Sequence, residues 1–228
     1  MNAPLPKAAQ TSVNRRHSLA ARYFGRTVVA IGAHPDDLEL AVGGTLARFA
    51  QHGAHVVMAI VSIPSHFETR RAEAQRAAAI LGCELKILAD ERCSRIDDIK
   101  TYQLVGMLDE LVRSLEPAAV LTHSANEFHR DHVAVHNACV STQRLRPFDF
   151  LHFNPTMTRA VPVAFHPRAY VDITETIDLK MQAIEAHASQ FASRGLDSDM
   201  WRDLARLQGR MVGVKYAEGI DISRMLFA

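Results

Sequence analysis

Two short stretches hold most of the residues that could do chemistry. In the first, the apolar run VVAIGA ends in His34, Pro35, Asp36 and Asp37, with Gly43 and Gly44 soon after. In the second, far downstream, THSANEFHRDH sets His129 and His132 three residues apart. Adjacent carboxylates at a dry strand end repel each other and resist desolvation unless a positive charge lies between them. Three protein ligands drawn from His and Asp/Glu, with one position left for water, make up a catalytic zinc site. The two stretches supply such a set. One aspartate can ligate the cation while its neighbour takes a proton from water acidified by the metal. Pro35 restricts the backbone of the turn that carries them.

Positioning these residues requires a scaffold, and the hydrophobic pattern describes one. Residues 27–33, 54–62, 84–89 and 118–124 are short, largely β-branched and apolar, as strands buried on both faces are. Helical patterns over 43–53, 68–83, 99–117 and 131–145 alternate with them. This βα alternation predicts a parallel sheet covered by helices on both faces, with right-handed crossovers. In such sheets ligands bind beyond the carboxyl ends of the strands. His34–Asp37 follow the first strand and His129–His132 the fourth, so both stretches fall on that side. Beyond residue 146 a proline-rich segment leaves room for one short strand. Residues 169–174 read as a strand, 175–191 and 198–215 as helices, and 218–226 as an edge strand.

Composition narrows the classes. The 228 residues are 48% hydrophobic, enough for one sizeable core. Residues 1–26 read as an arm, with a short helix near 18–24, and 27–228 as a single domain. Lys and Arg number 26 against 25 Asp and Glu, so no basic excess marks a nucleic-acid partner. No apolar run reaches the length of a membrane span. Cys83, Cys93 and Cys139 are widely spaced without a CxxC, as in a cytoplasmic protein with reduced thiols. GxGxxG and GxSxG are both missing, which argues against a dinucleotide enzyme and a serine hydrolase.

Each chemical residue also has a plainer reading. Asp36 and Asp37 could cap the following helix. Asp131 could cap its helix or brace a ligand histidine. His136 shares a helix face with His132 and reads as packing. His123, at a strand end, suits a hydrogen-bonded structural role or a place on the rim. Asp90, after the third strand, could meet substrate hydroxyls. His187 could simply join helices.

AHPDDLE, GGTLA, RRAEAQRAAAILG and HRDH, followed by YVDIT, LKMQAIEAHASQ and YAEGIDISR, resemble in order the PIG-L/LmbE-like zinc deacetylase family, from about residue 27 onward. The resemblance implies a Rossmann-like three-layer α/β sandwich with a mostly parallel sheet. It implies zinc ligands at His34, Asp37 and His132, with Asp36 as general base. His129 would steady the oxyanion or protonate the leaving amine, and Arg70 would contact substrate. The implied reaction is hydrolysis of an N-acetyl group on a small-molecule amino sugar or glycoconjugate, with Zn2+ or another divalent transition metal, in a chain that can form a homo-oligomer. The chain departs from the family in the loop VSIPSHFETRR, where a Thr- and Gly-rich loop is usual, and at Arg130, where proline is frequent. The altered loop keeps open hydrolysis of another small N-acyl amide. A non-catalytic ligand-binding homologue is a separate alternative; such a protein would tend to lose the base or a ligand, whereas here all are present.

Overall fold

The structure is a computed structural model and describes residues 19–89, 95–155, 165–194 and 197–226. Its centre is a seven-stranded sheet: β1 (Thr27–Gly32), β2 (His55–Ile60), β3 (Glu84–Ile87), β4 (Ala119–His123), β5 (Asp149–Phe153), β6 (Ala169–Asp172) and β7 (Ala217–Arg224). The spatial order is β3-β2-β1-β4-β5-β7-β6. The first five pair in parallel, and β7 runs antiparallel to both β5 and β6. The chain therefore builds outward from β1 in one direction, returns, and builds from β4 in the other. β1 and β4 lie side by side, with Val28 opposite Ala119 and Ile31 opposite Thr122. Their shared carboxyl end is the topological switch point, where the crevice of a doubly wound sheet opens.

The helices are α1 (Leu19–Arg22), α2 (Asp37–Gln51), α3 (Phe67–Leu81), α4 (Thr101–Leu115), α5 (Arg130–Thr142), α6 (Ile177–Glu185), α7 (Ala188–Arg194) and α8 (Asp199–Val212). Side chains alternate along a strand, and β1 shows how that divides the core. Val28 and Ala30 join Leu46, Phe49 and Met181 on one face. Val29 and Ile31 join Leu108, Val112 and Val135 on the other. Tyr23, just after α1, is buried, and its hydroxyl donates to Asp149 at the start of β5 (3.1 Å). Among the described residues, no helix is long and apolar enough to cross a membrane.

Three expectations need correction. The stretch expected at an edge, 218–226, supplies β7, which is flanked by β5 and β6; β6 is the outer strand. The stretch alternates in sequence, but in the structure Ala217–Ile220 are buried in succession, as in a strand with both faces covered. The helix expected from residue 43 begins at Asp37 and runs through a break at Val42 (φ −137°, ψ 17°). The helix expected over 175–191 is two, α6 and α7.

Gly44 meets a close neighbour. A Cβ there would stand 2.8 Å from Ile173 Cδ1 and 2.9 Å from Ile173 Cβ, just beyond β6. Gly44→Ala is expected to lower stability by about 1–3 kcal/mol through overpacking. A lower urea midpoint at unchanged slope would show it.

Candidate metal centre

The chemistry-bearing residues converge at the switch point. β1 ends at Gly32, a turn carries His34, Pro35 and Asp36, and Asp37 opens α2. On the neighbouring strand, β4 ends at His123, a loop carries Glu127 and His129, and Asp131 and His132 lie in the first turn of α5. Parallel pairing of β1 with β4 brings these turns together, although three helices and two strands lie between β1 and β4 in the chain.

Asp36 occupies the left-handed region (φ 92°, ψ −29°) and makes no side-chain capping hydrogen bond. A non-glycine residue held there costs about 1–3 kcal/mol, and such strain gathers at functional sites. Helix capping therefore does not account for Asp36. Asp37 is buried, and its Oδ2 accepts the His34 backbone N–H (2.8 Å). The same oxygen lies 3.8 Å from His34 Nδ1, and Oδ1 lies 3.3 Å from His132 Nε2. Ligand atoms around a tetrahedral ion at about 2.0–2.2 Å stand about 3.4 Å apart, and the two gaps, which reach different oxygens of Asp37, are of that order.

The outward nitrogens of the two imidazoles are also accounted for. His34 Nε2 bonds the Asp131 carboxylate (2.9 Å), and His132 Nδ1 lies 3.3 Å from Glu127 Oε2. A carboxylate behind each ring fixes its orientation and leaves the opposite nitrogen for a cation. This is an arrangement that the donor chemistry of a His/Asp metal site requires.

Among the described residues two overlapping groups of donor atoms result, His34–His129–His132 and Asp37–His123–His132, each within 4.8 Å. The expected set is split between them: His34 stands in the first, Asp37 in the second and His132 in both. His123 is fully buried and stacks on His132 with ring centroids 4.0 Å apart. Its Nε2 accepts the Ala33 N–H (2.9 Å). Burial, with His132 adding, lowers its pKa to about 4, so the ring is neutral. With that lone pair engaged, His123 acts as a wall of the site more than as a ligand.

Electrostatics bind the cluster further. Burial would raise the Asp37 carboxyl, but the His132 imidazolium beside it holds it well below the usual carboxylate range. Burial alone would lower His132, but Asp37, with Glu127 behind it, outweighs burial and pushes the ring up to about 10. His129 caps α5, its Nδ1 accepting the Asp131 N–H (3.2 Å). Burial, then His132 and His34, lower its pKa, which keeps it neutral at pH 7.

The remaining expected residues lie apart from this cluster. Arg70 on α3 is buried and donates to the Pro35 carbonyl (3.2 Å), so it braces the aspartate turn. Asp90 lies outside the described residues. His136 donates through Nδ1 to the His123 carbonyl (2.8 Å) or faces His152, ring centroids 5.0 Å apart, and stays outside both donor groups. Sequence reasoning missed Glu127, whose position in a loop gives no periodic signal, and left the role of His123 open.

Residues 29–142 match the PIG-L family, described as GlcNAc-PI de-N-acetylase. The chain belongs to this family. It is 28% identical over 204 residues to the uncharacterized deacetylase YaiS of Escherichia coli K12, covering 83% of this chain and 100% of YaiS. It is 26% identical over 228 residues to the diacetylchitobiose deacetylase of Thermococcus kodakarensis, covering 86% of this chain and 82% of that protein. The fold also matches that of GalB, the 4-carboxy-2-hydroxymuconate hydratase of Pseudomonas putida KT2440, with a TM-score of 0.74 at 20% identity, over 89% of this chain and 98% of GalB. The expected α/β architecture is thus the family's own.

The proton that Asp37 keeps on His132 must leave when a cation takes Nε2. Divalent-metal affinity is therefore expected to rise about tenfold per pH unit as pH climbs toward about 10, where the His132 proton no longer competes, then level off. Calorimetric titration in buffers of different ionisation heat should find one proton released per ion near pH 8.

Proposed function

We propose that this PIG-L family protein is a metal-dependent hydrolase that removes the N-acetyl group from an amino sugar or sugar conjugate. The observation that carries the reading is the pair of braced imidazoles, each with a carboxylate behind it and its other nitrogen beside Asp37. The similarity to a diacetylchitobiose deacetylase supports the sugar substrate. The full set of chemical residues argues against a non-catalytic homologue.

In this reading His34, Asp37 and His132 hold the ion. Zn2+ suits the donors, and other divalent transition metals fit the same His/Asp chemistry. When bound, the ion supplies Lewis acidity toward the acetamide carbonyl and toward water. Asp36, next to Asp37 and poised by its strained backbone, takes the proton as water attacks the carbonyl carbon. The carbonyl π bond opens, and the carboxylic acid so formed at Asp36 returns its proton to the nitrogen as the C–N bond breaks. This regenerates the Asp36 carboxylate and gives a free amine and acetic acid, which ionises to acetate.

His129 stabilises the developing oxyanion. Because its Nδ1 accepts from Asp131, the neutral ring carries its proton on Nε2. That N–H is a hydrogen-bond donor that needs no prior protonation, which favours the oxyanion role over delivery of a proton to the amine.

Asp36→Ala is expected to keep its metal and lose about 10²–10⁴-fold in kcat. His34→Ala and His132→Ala should lose the metal itself. Acetate release from a panel of N-acetylglucosamine conjugates, with metal content measured on each protein, tests both statements. Release that persists after complete chelation would overturn the mechanism, and release only from other N-acyl amides would shift the substrate class.

A further inference from the structure

The break at Val42 separates α2 into a single turn that carries Asp36 and Asp37 and a longer stretch behind it. A break leaves backbone groups without partners inside the helix. Here the Glu218 carboxylate on β7 accepts the N–H groups of Gly44 (3.0 Å) and Thr45 (2.7 Å). Lys180 on α6 donates to the Leu40 carbonyl (2.8 Å) and to Glu218 Oε1 (2.5 Å). One residue nearer the site, Glu39 Oε1 meets His187 Nε2 at 2.9 Å, and both residues are 0% exposed.

Lys180 and His187 stand seven residues apart, two helical turns, and so share one side of α6 and its exit. The exit is fixed in turn. The Ser189 N–H and hydroxyl donate to the Glu73 carboxylate on α3 (2.8 and 2.6 Å). Glu73 lies one turn from Arg70, which braces Pro35.

We propose that His187, through Glu39, and Lys180, through Leu40, are positioning residues that fix the Asp36–Asp37 turn from behind. Neither touches the reacting atoms. A buried ion pair is a weak device for stability, and apolar replacements of both partners are often neutral. A helix broken beside its two functional carboxylates, however, needs its first turn held in one orientation. This inference rests on the roles proposed above for Asp36 and Asp37.

The test compares Glu39→Met/His187→Leu, which removes the pair, with His187→Gln, which keeps a donor near the Nε2 position. Readouts are Co2+ affinity with its visible absorption bands, and kcat and KM for acetate release. The double variant is expected to bind Co2+ about 10–100-fold more weakly, as outer partners of ligands do. At saturating metal its kcat should fall at least about tenfold with KM little changed, since Asp36 is displaced while substrate contacts persist. His187→Gln should restore both.

The proposal is overturned if the folded double variant matches wild type in Co2+ affinity and kcat, or if His187→Gln is as impaired as the double variant. Should the double variant not fold, a Glu39→Gln/His187→Gln cycle decides. Non-additive losses in Co2+ affinity support the coupling, and additive ones overturn it. A wild-type protein that releases acetate from no sugar would sink the substrate reading alone, because the Co2+ titration still judges the clamp.

Discussion

Everything at the candidate site depends on one backbone ladder, the parallel pairing of β1 with β4. Its register, Val28 to Ala119 through Ile31 to Thr122, sets where each strand stops and therefore where the next turn begins. The Ala33 N–H reaches across to His123 Nε2 at the top of the same ladder, so a side chain continues the link where backbone pairing ends. A slip of one residue would move every side chain on the strand to the opposite face. It would carry His34 and Asp37 away from His132. The core on both faces of β1 guards against that slip.

The second constraint is charge. Asp36, Asp37, Glu39 and Glu127 are all buried within a short distance along two turns. Carboxylates so placed need partners. The protein supplies imidazoles: His34 of the same turn and His132 from the distant stretch around Asp37, His132 again beside Glu127, and His187 at Glu39. Fold alone leaves the chemistry open, since a hydratase shares the architecture. The arrangement of these groups, with the family relationship, is what points toward amide hydrolysis.

Much of this was legible in the amino-acid order. The first four parallel strands announced themselves by apolar runs too short for helices, while β5 fell in a segment read as irregular, and the order of βα units placed His34 and His132 on one end of the sheet. What could not be read depends on neighbours that no local window contains. The extension of α2 back to Asp37 crosses a break at Val42 whose backbone groups are met by Glu218, Lys180 and Thr176, all from the far end of the chain. β7 alternates as an edge strand would, yet its place between β5 and β6 is a fact of topology. Glu127 is one acidic residue in a loop until His132 is seen beside it.

The position of β7 has a consequence for how the molecule comes into being. The outer strand β6 reaches the rest of the sheet only by way of β7, which is made after it. Glu218, on that same late strand, supplies the acceptor that the middle of α2 lacks. A chain emerging from the ribosome can thus assemble its parallel half early, but such long-range closure is slow and waits on distant partners. Catalytic competence should therefore arrive in a single late step, when the final strand threads home and the aspartate turn, synthesised near the start, at last becomes rigid.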